Sequence, residues 1–190
     1  DAGVDHEVRH IANTPAALSR PDSHFDMVRV GLGMYGLSPF PGQSPDELGL
    51  RPAMTLKTTI ANCKEVPAGQ GVSYGLHYTT QEPTTLALVP LGYADGVPRV
   101  GTGGPVWVDG NVYPVVGRIA MDQMVIDLKA TGIAGTGKDL VGREAVLFGG
   151  VGMPSVDAWA DACGSINYEI ITRISSRVQR QYIDSEAAGA

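Results

Sequence analysis

Cysteine is scarce. The 190 residues hold two, Cys63 and Cys163. Their spacing fits neither a metal site nor a disulfide framework, so two reduced thiols in a cytoplasmic protein are expected. Long apolar runs are missing as well. None approaches the roughly 20 residues that cross a bilayer, so no membrane partner is expected. Nor is there a basic excess. The net charge is −6 and the pI about 5.1, which argues against nucleic acid as a partner, since that needs a basic face. The start, Asp1-Ala2-Gly3-Val4-Asp5-His6, is acidic and polar, unlike a secretory leader. It has no initiator Met, and the chain is expected to begin inside a longer protein. His10, His24 and His77 make no metal constellation. No Ser-His-Asp order sits in a nucleophile-elbow context, and no phosphate-binding loop ends in Gly-Lys-Ser/Thr. Lysine is sparse, and Lys57, Lys64, Lys129 and Lys138 all lie outside the candidate site segments.

What is present is a globular composition. Hydrophobic residues make up 43%, enough for a core without staples. Gly 25 and Pro 13 are high counts and favour short strands between many turns. Residues 1–45 have an α/β flavour. Val8 to Asn13 and Asp26 to Gly31 read as strands, and Thr14-Pro15-Ala16-Ala17-Leu18 reads as a helix start with Thr14 as its cap. Together they suggest βα units.

From about residue 46 the pattern changes to mostly β. Met54, Leu56, Thr58 and Ile60 alternate with Thr55, Lys57 and Thr59, as in a half-buried strand. Leu86 to Val89 is another strand, and Asp109-Gly110 between β-rich runs predicts a hairpin. Ile119 to Leu128 and Ala145 to Phe148 complete a small barrel or sandwich. Ser155 caps a helix through Trp159 and Cys163 that stops at Gly164, and Asn167 caps a second with Ile170, Ile171 and Ile174 buried. Ser185 to Ala190 read as a loose tail. The boundary between the regions is placed in the Pro/Gly/Ser-rich stretch from Pro39 to Gly49.

Three glycine-flanked segments carry the candidate chemistry: Gly71-Val72-Ser73-Tyr74-Gly75, Gly92-Tyr93-Ala94-Asp95-Gly96 and Gly117-Arg118-Ile119-Ala120-Met121-Asp122-Gln123. A tyrosine beside glycine becomes an acid or base when a neighbouring cation lowers its pKa from about 10. Taken singly, Tyr74 and Tyr93 read as well as packed aromatics, and Arg118, Met121 and Asp122 as a strand end. Gly31 and Gly33 could let backbone amides approach an anion, or could simply turn the chain. Arg29 sits in an apolar strand, either buried and in need of an acceptor or facing outward.

As an ordered set these segments resemble bacterial alanine racemase, which uses pyridoxal 5′-phosphate (PLP). The set also includes His10-Ile11-Ala12-Asn13-Thr14, Met27-Val28-Arg29-Val30-Gly31, Met34-Tyr35-Gly36-Leu37-Ser38-Pro39 and Ile166-Asn167-Tyr168-Glu169. The resemblance runs from about Val8 to Tyr182 and covers only the family's second half. It implies an α+β fold: residues 1–45 as the last units of a (β/α)8 barrel, residues 46–190 as a mostly-β, barrel-like domain. It also implies interconversion of L- and D-alanine through a PLP Schiff base by two bases, for cell-wall D-alanine, in a head-to-tail homodimer.

The resemblance further implies roles for single residues. Thr14 (serine in most of the family), the amides of Gly31 and Leu32, and the Tyr168 hydroxyl would hold the cofactor phosphate. Arg29 would face the pyridine nitrogen. Tyr74 would be the base acting on L-alanine, and the Met121 N–H would hold the substrate carboxylate. Tyr93, Arg99, Arg118 and Ile166 would line the entrance. Ala120 stands where many members have cysteine. The PLP-bearing lysine and an arginine beside the tyrosine base are expected upstream of this chain. The competing readings are a related PLP racemase or decarboxylase, and a catalytically inert β module.

Overall fold

The computed structural model describes Gly3, residues 6–129 and residues 137–183. The segment predicted as a tail, Ser185 to Ala190, lies outside the described residues. A seven-stranded antiparallel sheet forms the body. Its strands are β1 (Leu56–Thr59), β2 (Asn62–Val66), β5 (Thr84–Val89), β6 (Pro105–Val108), β7 (Asn111–Val116), β8 (Met124–Asp127) and β9 (Glu144–Phe148), in the order β1-β9-β6-β7-β8-β5-β2. A two-stranded ribbon, β3 (Gly71–Val72) with β4 (Tyr78–Thr79), stands apart from it.

The two edge strands are consecutive in the chain, joined by Ile60 and Ala61 alone. Ile60 N–H donates to Arg143 O at 2.8 Å and Ala61 N–H to Leu88 O at 2.9 Å. The link is therefore bonded to the strand ends on both sides, and the sheet curls into a barrel-like wall. This is the mostly-β domain the sequence predicts. The alternation in β1 is as read: Leu56 and Ile60 are buried, while Lys57 is exposed and pairs with Glu144 at 2.7 Å. The hairpin β6–β7 turns at Asp109 and Gly110, with φ of +48° and +87°. Positive φ at both turn residues is the geometry that matches strand twist.

Helix α2 (Val156–Cys163) starts at Ser155, whose Oγ accepts from Ala158 N–H at 3.0 Å, and stops at a left-handed Gly164. It is seated by Trp159, which is buried and whose Nε1–H donates to Pro105 O (2.9 Å) and Leu147 O (2.7 Å). Helix α3 (Asn167–Thr172) buries Ile170 and Ile171, with Ile174 following. Its cap is Ile166, not Asn167. The Asn167 side chain instead donates to Ser38 O and Asp157 Oδ1, both at 2.8 Å. It ties α3 to α2 and to the chain after residue 37.

The first 45 residues depart further from expectation. Helix α1 (Thr14–Ser19) is present, but Asn13 caps it through Oδ1 and Ala16 N–H, and Thr14 is its first helical residue. The two predicted strands reduce to one parallel bridge, Asn13 to Arg29. Val8 and Val28 are exposed. Parallel strands gain their stability from cover on both faces, and this chain supplies little on either side. The segment is nonetheless fastened to the β domain. Leu32 and Leu37 join its buried cluster, and Ala53 N–H donates to Tyr35 O at 3.0 Å.

Candidate active site

The three glycine-flanked segments meet in space. Tyr93 and Ala94 donate their N–H groups to Ala120 O (3.0 Å) and Met121 O (2.9 Å). A Cβ on Gly92 would lie 2.3 Å from Met121 O, so this approach requires glycine. The buried Asp95 carboxylate accepts from Gly92 N–H at 2.8 Å and closes the turn. On the other side, Ser73 Oγ–H donates to Arg118 O at 2.6 Å. A Cβ on Gly117, whose φ is +69°, would lie 2.9 Å from Val72 O. The third segment thus sits between the first two, which sequence order alone does not reveal.

The side chains nominated for chemistry project from this junction. Tyr74 is 69% exposed and Met121 53% exposed, with Tyr93, Arg99 and Arg118 also exposed. Arg118 Nη1 comes within 3.7 Å of where a Gly75 Cβ would stand, so a guanidinium adjoins the Tyr74 turn. Ile166 and Tyr168, exposed at the start of α3, line a groove whose other wall is residues 39–45.

Of the cofactor-binding candidates, Thr14, Gly31 and Leu32 form a second group. Thr14 is buried, and its Oγ1 accepts from Gly31 N–H at 3.0 Å and Gly33 N–H at 3.4 Å. This brings Thr14 and the Gly31 turn together as expected, with the Gly31 amide bonded to the hydroxyl. Leu32 opens the 3-10 turn Leu32–Tyr35 directly behind. A hydroxyl beside a glycine turn with open space at Gly31 is a donor set suited to a phosphate. Arg29 takes the outward-facing of the two sequence readings. It is exposed, and its Nη2 donates to Ile11 O at 3.2 Å. The single bridge beside it leaves its outer face uncovered.

Sequence reasoning passed over Arg177. Its Nη2 lies 2.6 Å from Asp122 Oδ1 and its Nε 3.5 Å from Asp95 Oδ1, so one guanidinium bridges the second and third segments. Asp122 foremost, then Asp95, raises its pKa further. The same segment reaches Gly96, where a Cβ would lie 2.2 Å from Arg173 O. Sequence reasoning also passed over Asp127, a buried carboxylate that accepts from Tyr78, Thr84 and Lys129. Burial raises the pKa of both thiols, Cys63 and Cys163. Among the described residues no group of three or more His, Cys, Asp or Glu could hold a metal, and no helix is long and apolar enough to cross a membrane.

Residues 53–182 match the family model of the alanine racemase C-terminal domain, and residues 1–39 that of its N-terminal domain. These matches define the class as a racemase β domain carried behind a short piece of an N-terminal domain. The chain belongs to the alanine racemase family. It is 56% identical to an alanine racemase of Streptomyces coelicolor over 96% of its length and 46% of that protein's. To one of Thermobifida fusca it is 52% identical, over 95% and 47%. The solved Streptomyces coelicolor structure superposes with a TM-score of 0.89, covering 96% of this chain and 47% of that one. That of Streptomyces lavendulae gives 0.87 at 52% identity, covering 99% and 49%. The chain spans about half the length of these relatives.

Proposed function

We propose that this chain is the C-terminal half of a PLP-dependent alanine racemase, with residues 1–45 completing an upstream α/β barrel and residues 46–190 forming the β domain. The observation that carries the reading is the meeting of the Tyr74, Tyr93 and Met121 segments on one exposed face. When bound, PLP would supply the electron sink that makes the α-hydrogen of alanine removable. Thr14, the Leu32 amide and the Tyr168 hydroxyl would hold its phosphate, together with the Gly31 amide once it exchanges its bond to Thr14 Oγ1 for one to the phosphate. Arg29, permanently charged, would face the pyridine nitrogen once the upstream barrel covers it.

Tyr74 would accept the α-proton of L-alanine on one face and return one to it in the reverse direction. Met121 N–H would hold the substrate carboxylate. Tyr93 and Ile166 would narrow the approach, and Arg99 and Arg118 would draw in an anionic headgroup. None of the lysines here occupies a family motif for the second base, so that base is assigned to the upstream half. The exposed face bearing Tyr74 suits a second copy of the protein, in a head-to-tail dimer of cytoplasmic enzyme.

Replacing Tyr74→Phe in the full-length racemase should lower turnover in both directions by about 10²–10⁴-fold, the usual worth of a positioned acid/base. Wild-type rates in that variant would remove Tyr74 from the mechanism. Comparable rates on alanine, serine, lysine and ornithine would move the reading to a broader racemase of the same fold.

A further inference from the structure

The residue before Tyr74 has a backbone that serine rarely adopts. Ser73 has φ +61° and ψ −172°, a region essentially reserved for glycine. The residues after it continue the pattern: Gly75 has φ +77° and Leu76 +49°. Tyr74 is thus flanked by left-handed residues in the short loop between β3 and β4. Those reversals turn the loop so that Tyr74 stands outward from the ribbon.

Strain of this kind persists only when its surroundings hold it. Here the hold is identifiable. Ser73 Oγ–H donates to Arg118 O at 2.6 Å. Behind it, Gly117 admits this close approach, since a Cβ there would lie 3.0 Å from Ser73 Cβ. Leu76 N–H closes the turn onto Ser73 O at 3.3 Å. The first of these bonds is the one that crosses between segments. It fastens the Tyr74 loop to the segment that, three residues on, presents Met121.

We propose that Ser73 is a positioning residue for Tyr74: its hydroxyl, bonded to the Arg118 carbonyl, locks a glycine-like turn and fixes the tyrosine relative to Met121. The inference rests on the reading of Tyr74 as a proton-transfer group. It explains why serine occupies a site whose backbone glycine would adopt freely. Glycine would fit the turn but leave it untied. Alanine would keep the strain and lose the tie.

The test uses the PLP-loaded, full-length racemase with Ser73→Gly and Ser73→Ala, and Tyr74→Phe as reference. Ser73→Gly should lower kcat for L-alanine by roughly tenfold to a hundredfold, as expected when a reacting group shifts by a fraction of an ångström, with KM changed far less. Its melting temperature should equal or exceed wild type, because the strain is relieved. Ser73→Ala should lose rate and melting temperature together. The primary isotope effect with α-deuterated L-alanine should rise in both variants, while that with α-deuterated D-alanine, whose proton leaves to the other base, should not rise. Wild-type kcat and isotope effects in both Ser73 variants, beside a crippled Tyr74→Phe, would overturn the role of Ser73 and leave the function standing. Wild-type rates in Tyr74→Phe would sink both.

Discussion

Asp127 is a buried carboxylate with donors on three sides. Tyr78 Oη–H donates to it at 2.5 Å, Thr84 Oγ1–H at 2.6 Å and Lys129 N–H at 2.8 Å. Burial pushes its pKa up. The hydrogen bonds from Thr84, Tyr78 and Lys129 outweigh that, and the net shift is downward. The hydrogen bond to Asp127, foremost, lifts Tyr78 to about 12. The two shifts act in different pH windows. The depressed Asp127 contributes stability above the ordinary aspartate value, about 4, which is lost as pH falls through its lower folded value. The raised Tyr78 contributes stability that is complete below about pH 10 and lost as pH climbs toward 12. Tyr78→Phe should therefore cost about 1.5–3 kcal/mol near neutrality, the worth of a bond to a charged group. It should also flatten the alkaline loss, read from urea melts between neutral and strongly alkaline pH. An unchanged alkaline limb would show that Tyr78 does not govern it. At this scale the sequence is a partial guide. Tyr74 and Met121 stand out as candidates because they sit in recognisable segments. Ser73, Arg177 and Asp127 are not, because each acts through a partner distant in the chain.

Among the elements, legibility follows how local the signal is. The Asp109-Gly110 hairpin and α2, with Ser155 before it and Gly164 after, are readable because turn and cap chemistry reside in adjacent residues. Asn13 and Asn167 mislead by one position. Asn13 takes the cap expected of Thr14, whose hydroxyl is engaged by the Gly31 turn, and Asn167 is drawn inward by Ser38 and Asp157. The predicted strands of the first region fail because a strand needs neighbours that no local pattern supplies. Two glycines put numbers on the distinction between local and tertiary constraint. Gly110 has φ +87° and open space around a would-be Cβ. Gly110→Ala should thus cost only the left-handed conformation, about 1–2 kcal/mol. At Gly36, φ is +69° and a Cβ would fall 1.6 Å from Arg51 O. Gly36→Ala adds a backbone collision at the joint between the first region and the β domain, and should cost roughly 3–5 kcal/mol. Equal losses in the two variants, by thermal or urea unfolding, would contradict this.

For the molecule as a whole, the exposed apolar side chains are telling. Met34, Leu76 and Ile166 are each more than 60% exposed, and Tyr74 and Met121 share the candidate face. Tyr74 and Leu76, both exposed on one short loop, give that face an apolar character suited to cover by a partner. It accords with a chain about half as long as its relatives and with a site completed by a second subunit. Subunit mixing tests that directly. Full-length Tyr74→Phe subunits are inactive by this reading, as are subunits lacking the upstream PLP-anchoring lysine. Mixed equally and allowed to exchange, they should recover about a quarter of wild-type activity, since about half the dimers are mixed and each has one of two sites intact. No recovery would mean that each site draws its residues from a single subunit.

The Ile60–Ala61 link between the sheet's edges also bears on how the chain folds. Strand β1 bonds to β9, which comes last among the strands, while β2 bonds to β5 soon after it leaves. A chain emerging from the ribosome can therefore assemble β2, β5, β8 and the β6–β7 hairpin from nearby segments while β1 waits unpaired at its start. High contact order of this kind slows folding and prolongs the exposure of an open edge. The species most open to mispairing as this protein is made is the nearly finished sheet, whose β1 edge still waits for β9.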